Sequence, residues 1–118
     1  MNVNYIKKDK VLELELTEEI DHHNAMKVRN RADYEIQKFM PKTVIIDLKN
    51  VGFMDSAGIG LVLGRYKLSN MIGADLKIRN INRKIKKVFE MSGILKIIET
   101  IEDENQTING GKKANECV

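Results

Sequence analysis

Hydrophobic and polar residues alternate near the N-terminus in the pattern of a half-buried β-strand. In the segment 11–16, three leucines face one way and the two glutamates between them face the other. The residues 3–7 that precede this segment are separated from it by a charged turn at 8–10. We therefore predict that the chain begins with a β-hairpin.

Three later segments carry hydrophobic residues at spacings of three and four, which is the pattern of an amphipathic helix. The first spans residues 24–40 and is stopped by Pro41. The second runs from about residue 56 to residue 71 and is followed by Gly73 at the expected C-terminal cap, and a third, shorter helix begins after Asn82. The residues predicted to share the core-facing sides of the second and third helices are Ile59, Val62, Leu63, Tyr66, Ile85, Val88 and Phe89.

Three further segments have the composition of β-strands. Residues 43–48 are mostly β-branched, which suits a central strand that is buried on both faces. Residues 75–79 alternate, with Leu76 and Ile78 facing inward, and residues 96–101 can form a last strand. Two strands followed by three helix–strand pairs predict an α/β fold, in which a small, mixed, mostly parallel sheet is covered by helices.

The size and composition of the chain agree with one domain in the cytoplasm. Its 118 residues, 42% of them hydrophobic, can build a single core, which we place in residues 1–105, with a frayed or disordered polar tail at 106–118. No segment approaches the roughly 18 consecutive apolar residues of a membrane helix, and the N-terminus lacks an apolar signal core. A net charge of +3 is too slight to argue for nucleic acid or membrane partners, and Cys117 as the one cysteine excludes an internal disulfide.

The segment 51–64 carries the most informative candidate chemistry. Ser56 is predicted at the start of a helix, where unpaired backbone N–H groups and the positive end of the helix dipole favour a phosphate. Alternatively, Asp55 or Ser56 simply caps the helix, since both are preferred capping residues. Gly58 and Gly60 complicate the second interpretation, because each glycine within a helix costs about 1 kcal/mol relative to alanine. Two glycines in one turn indicate that something approaches the backbone closely.

Enzymatic interpretations of this segment fit poorly. The glycines at 58, 60 and 64 place the third one residue too late for a dinucleotide-binding fingerprint, and no strand ends just before the first. A hydrolase nucleophile elbow requires glycine two residues before the serine, where Met54 stands. The adjacent residues of the run 21–23 cannot easily supply both the base and the orienting acid of a triad with Ser56. We therefore expect no catalytic residues, although a small hydrolase is kept as an alternative.

Two polar clusters have simple structural explanations. In the run Asp21-His22-His23, neighbouring side chains at a helix start diverge by roughly 100°, so the imidazoles are poor partners for one metal ion, and we predict no metal site. The simpler interpretation is that Asp21 accepts backbone N–H bonds while the histidines lie at the surface. The basic run 83–87 is interpreted as the solvated face of the third helix.

Several segments together resemble the anti-sigma factor antagonists of endospore-forming bacteria, which have the STAS fold. The resemblance covers about residues 3–101, most of the chain. The segments that carry it are Asp21-His22-His23-Asn24-Ala25, Val44-Ile45-Ile46-Asp47-Leu48, Phe53-Met54-Asp55-Ser56-Ala57-Gly58-Ile59-Gly60, Leu63-Gly64-Arg65-Tyr66-Lys67 and Phe89-Glu90-Met91-Ser92-Gly93-Ile94-Leu95-Lys96-Ile97-Ile98. Glu18-Glu19 departs from the Gly-Glu usual in the family, and the C-terminal helix expected after the last strand is interrupted at Gly110-Gly111.

The resemblance implies a regulatory switch that is not an enzyme. Ser56 would be the phosphoacceptor of an ATP-bound partner that is both anti-sigma factor and serine kinase. The unmodified chain would bind this kinase and release a sporulation sigma factor, phosphorylation would abolish binding, and a serine phosphatase would reset Ser56. Nucleotide and magnesium would come from the kinase, so no cofactor is expected in this chain. The partner-binding residues implied are Asp21, His22, Asp55, Ser56, Gly58, Ile59 and Gly60. A STAS module that acts as a scaffold in a larger assembly is the other alternative.

Overall fold

The computed structural model describes residues 1–103, which form a five-stranded sheet and three α-helices. The strands are β1 (Asn2–Ile6), β2 (Val11–Glu15), β3 (Thr43–Asp47), β4 (Asp75–Arg79) and β5 (Glu99–Ile101), and the helices are α1 (Ala25–Phe39), α2 (Ser56–Met71) and α3 (Arg83–Ser92). The predicted element order is confirmed, and α2 and β4 have the predicted bounds. Among the described residues, no helix is both long enough and apolar enough to cross a membrane.

The strands lie in the sheet in the order in which they occur along the chain, β1-β2-β3-β4-β5. The predicted N-terminal hairpin makes β1 antiparallel to β2, and the remaining three pairs are parallel. The register aligns Leu12 with Val44 and Val44 with Leu76, so their side chains form a row on one face of the sheet. The predicted mixed, mostly parallel sheet is therefore confirmed.

The hydrophobic core lies between one face of the sheet and the helices. Alternate residues of β2, β3 and β4 form one buried cluster with side chains of all three helices, including Ile36 of α1, Val62 of α2 and Phe89 of α3. The stacked rings of Tyr5 and Phe39, with centroids 4.4 Å apart, join β1 to the end of α1. The helices thus cover a single face within residues 1–103.

The opposite face of the sheet carries polar side chains around the central strand. Arg79 of β4 donates through Nε to Asp47 Oδ2 (3.0 Å) and through Nη1 to Glu13 Oε2 (2.8 Å). Asp47 is only 5% exposed, and Ile45 on the same face is also buried. The prediction that β3 is buried on both faces is confirmed. On this face, however, side chains of the neighbouring strands cover β3, and the helices do not. Burial raises the pKa of Glu13, but the hydrogen bonds from Asn4 and Arg79 and the charge of Arg79 together outweigh it, so this pKa lies below its usual value.

The structure differs from the sequence predictions at the last strand. The last strand is shorter than the predicted 96–101, because Ile94–Lys96 form a turn of 3₁₀-helix and pairing with β4 begins only at Glu99. Left-handed Gly93 (φ 81°) ends α3 and starts this turn. The predicted polar tail, Cys117 and the interrupted C-terminal helix lie outside the described residues.

Candidate functional site

The segment that follows β2 and the segment that precedes α2 are joined by backbone hydrogen bonds. Ile20 and Met54 form a parallel β-bridge. The Asp55 N–H donates to the carbonyl of Ile20 (3.2 Å), and the Ile20 N–H donates to the carbonyl of Phe53 (3.4 Å). Because Ile20 and Met54 are buried, this bridge fixes the start of α2 beside the loop that begins at Asp21.

Asp55 caps α2, so the hydroxyl of the neighbouring Ser56 is not used as a cap. Its Oδ1 accepts a hydrogen bond from the Ala57 N–H at 2.8 Å, and its backbone is extended, as at a standard N-cap. Ser56 is the first helical residue and is exposed, and its hydroxyl makes no hydrogen bond with any residue in the range 1–103. Of the two capping alternatives, the structure therefore selects Asp55. The arrangement presents a serine hydroxyl at the positive end of a helix dipole.

Asp21 organises the loop at the start of α1. Its Oδ1 accepts from the N–H groups of His23 (2.8 Å) and Asn24 (3.2 Å), and the His23 bond is the main reason that the pKa of Asp21 lies below its usual value. Both histidines are exposed, and their rings lie 4.0 Å apart. This confirms the simpler interpretation of the run. No group of three or more metal-ligating side chains is found in the part of the chain that the structure describes.

The two glycines of the first turns of α2 differ in their surroundings. Gly58 is buried, and a Cβ there would lie 1.8 Å from Cγ of Met54. Gly60 is exposed, and a Cβ there would meet nothing within 4 Å. The interpretation that both glycines make room for a partner is not needed to explain Gly58, because the contact that excludes a side chain there is internal. Gly60 still fits that interpretation.

We expect Gly58→Ala to lower the free energy of unfolding by about 1–3 kcal/mol, because overpacking forces Met54 to move. Gly60→Ala should instead leave stability unchanged or raise it by up to about 1 kcal/mol, since alanine favours the helix. Urea unfolding of the two variants and of the unsubstituted chain measures both effects. A Gly58→Ala variant as stable as Gly60→Ala would contradict the packing explanation.

A shallow groove runs between the first turns of α1 and α2. Its volume is about 270 Å³, and its walls include His22, Met26 and Arg29 from the α1 side and Ala57 and Gly60 from the α2 side. The Met26 side chain is 64% exposed. The groove is shallow and is lined by small and flexible side chains, which suits contact with another protein surface.

Ser56 has no hydrogen-bonded imidazole among the described residues, so the structure gives no support to the hydrolase alternative.

The sequence prediction missed a buried charge between α1 and α2. Val62 is buried as predicted, but Arg65 and Ser69 are also buried, whereas Ile59, Leu63 and Tyr66 are half-buried. Arg65 Nε lies 2.6 Å from Asp33 Oδ1, although the two groups are not aligned as a hydrogen bond. Burial lowers the pKa of Arg65, and Asp33 opposes this shift. The signal was present in the spacing, because residues 58, 62, 65 and 69 share one helical face.

The chain is similar to proteins that are already known. The family described as STAS domain matches residues 2–107. The anti-sigma F factor antagonist of Paenibacillus polymyxa is 38% identical over 94 residues, which make up 80% of this chain and 80% of that protein.

Two solved structures of SpoIIAA share the fold. The anti-sigma factor antagonist SpoIIAA in its unphosphorylated form superposes with a TM-score of 0.73 at 25% identity, over 95% of this chain and 98% of that one. The Bacillus cell fate determinant SpoIIAA in the phosphorylated form gives a TM-score of 0.66 at 26% identity, over 92% of this chain and 96% of that one.

Proposed function

The chain belongs to the STAS domain family, as the resemblance in its sequence predicts, and we propose that it is an anti-sigma factor antagonist switched by phosphorylation of Ser56. The unmodified chain binds an ATP-bound anti-sigma factor that is also a serine kinase, and this releases a sporulation sigma factor. The kinase then phosphorylates Ser56 and dissociates, and a serine phosphatase restores the hydroxyl. The chain itself performs no catalysis, because nucleotide, magnesium and base belong to the kinase.

The observation that carries this proposal is the exposed Ser56 hydroxyl at the N-terminus of α2. Asp55 already satisfies the first-turn N–H of Ala57, so the serine is not needed as a cap and is available to a kinase. The relatives support the same role, since SpoIIAA has a phosphorylated form.

The docking surface is the groove between α1 and α2 together with the loop that starts at Asp21. We assign Asp21, His22, Asp55, Ile59 and Gly60 to this surface together with Ser56, and two of them, His22 and Gly60, line the groove. Gly60 adds no side chain, so a partner can approach the backbone of the second helical turn. Gly58 supports this surface only from beneath, through its contact with Met54.

Phosphate on Ser56 acts by charge and bulk at this surface. It adds about −1.5 to −2 charges at neutral pH. Within the free protein, the N-terminus of α2 tolerates this charge, because the helix dipole offsets repulsion by Asp55. At the kinase interface the phosphate would be desolvated without a partner, which is strongly unfavourable. The switch is therefore local and leaves the fold unchanged.

The purified chain, incubated with its cognate anti-sigma factor kinase and ATP, should gain one phosphate in an intact-mass measurement, and peptide mapping should place it on Ser56. The matched variants are Ser56→Ala, which should gain none, and Ser92→Ala, which should be modified normally. Ser92 is a suitable control because it is also exposed on a helix end, where its hydroxyl donates to the Phe89 carbonyl. Phosphate on Ser92, or on Ser56→Ala, contradicts the assignment.

A further inference from the structure

A second concave site lies between the end of β2 and the outer part of α1, separate from the groove beside Ser56. Its volume is about 280 Å³, close to the lower end of small-molecule pockets, which hold about 300–1,000 Å³. Val28 and Met1 are half-buried and supply its accessible apolar surface, over a floor formed by the core residues Leu16 and Ile20, which are 3% and 0% exposed. It shares no lining residue with the groove beside Ser56.

Lys27 and Arg31 line this site, as does Met1, whose α-ammonium group donates to Thr17 Oγ1 at 3.1 Å. Lys27 and Arg31 are one helical turn apart on α1, so their side chains project from the same side of the helix. Within residues 1–103, neither forms an ion pair. Glu18 is the one carboxylate in the lining, and its Oε1 accepts a hydrogen bond from the Asn24 side chain at 2.8 Å. The Glu18 charge only partly offsets these positive groups, so the site combines apolar surface with net positive charge.

We propose that this site binds a small amphipathic carboxylate, such as a medium-chain fatty acid. The tail of the ligand lies against Val28 and Met1, above Leu16, and its carboxylate lies between Lys27 and Arg31. An apolar compound makes no use of the positive charge, and a small anion leaves the accessible apolar surface of Val28 and Met1 in water. The volume excludes a long acyl chain that is fully enclosed.

Titration of the ¹⁵N-labelled chain with octanoate, kept below its micelle concentration, tests the proposal. Backbone amide signals of Leu16, Thr17 and Val28 should shift in a saturable way. Octanol, which has the same tail without the charge, should bind more weakly, as should acetate, which has the charge without the tail. Equal shifts with octanol and octanoate, or saturation by acetate alone, would overturn the proposal.

Variants of the two cationic side chains separate a real site from general attraction to a basic protein. Lys27→Gln with Arg31→Gln should weaken octanoate binding about fourfold to twenty-five-fold, since each exposed ion pair is worth about twofold to fivefold. The control is Lys38→Gln with Lys42→Gln, which removes the same charge at the far end of α1 and should leave the dissociation constant unchanged. Unchanged binding in the first pair, or equal loss in both pairs, would refute the site.

A filling variant tests the apolar half. Val28→Phe should abolish the octanoate shifts at Leu16 and Thr17 while thermal unfolding stays cooperative, because Val28 is only half-buried and the cavity has room for the ring. If Val28→Phe binds octanoate as the unsubstituted chain does, the tail does not occupy this cavity and the proposal fails.

Discussion

Replacing Ser56 by aspartate should abolish binding to the anti-sigma factor kinase, whereas Ser56→Ala should bind it and stay bound. The aspartate places a carboxylate at the centre of the docking surface, where contact with the kinase would remove its water. An unpaired charge buried in this way costs several kcal/mol, so we expect affinity to fall by at least about a hundredfold. Alanine removes only the hydroxyl and cannot be phosphorylated. Titration calorimetry with the purified kinase measures both affinities.

The matched control for this substitution is Asn70→Asp, which adds the same charge to an exposed position at the other end of α2. It should alter kinase affinity less than about threefold, because charges more than about 10 Å apart are largely screened at moderate salt. The thermal midpoint of Ser56→Asp should equal or exceed that of the unsubstituted chain, since a carboxylate at a helix N-terminus is favourable. Equal binding by Ser56→Asp and Ser56→Ala would remove Ser56 from the interface.

Removing Asp33 should be among the most destabilising single changes at a half-exposed position. Asp33→Ala leaves the 6% exposed Arg65 without the carboxylate that lies 2.6 Å from its Nε. Breaking a buried ion pair by removing one partner costs about 3–5 kcal/mol, and we expect the lower end, because the Asp33 side chain is 30% exposed. Denaturant unfolding, followed by circular dichroism, measures the change.

Glu99→Ala provides the comparison, because it removes a carboxylate from an exposed ion pair with Lys77 (3.3 Å) and should cost less than about 1 kcal/mol. Adding Arg65→Met to Asp33→Ala should restore part of the lost stability, since no buried charge then remains. If Asp33→Ala is no more destabilising than Glu99→Ala, Arg65 does not depend on its neighbour.

The features that sequence could predict are those with a short, regular pattern. The alternating leucines of β2, the β-branched run of β3 and the capping residue Asn82 each specify local structure through neighbouring residues, and all three are confirmed. For α2 the sequence offered either Asp55 or Ser56 as the cap, and the structure selects Asp55. Ser56 is also where the sequence places it, at the first position of α2.

The features that sequence could not predict depend on contacts between distant segments. The helical spacing places Arg65 on the buried face of α2, but a buried arginine is rare, and only the approach of Asp33 on another helix explains how its charge is accommodated there. Gly58 and Gly60 have the same local pattern but opposite environments, which are decided by where Met54 packs. The groove beside Ser56 likewise exists because the Ile20–Met54 bridge joins two segments that lie far apart in sequence.

The agreement between strand order in the sheet and strand order along the chain affects how the protein is made. Each strand pairs with the one synthesised just before it, so no later strand has to insert between two that are already paired. The sheet can therefore grow stepwise as the chain leaves the ribosome, starting from the β1–β2 hairpin. Because α2 packs on β4, the helix that carries Ser56 reaches its final support only after β4 has emerged. A nascent chain should therefore become a substrate for its kinase late in synthesis, when the docking surface is complete.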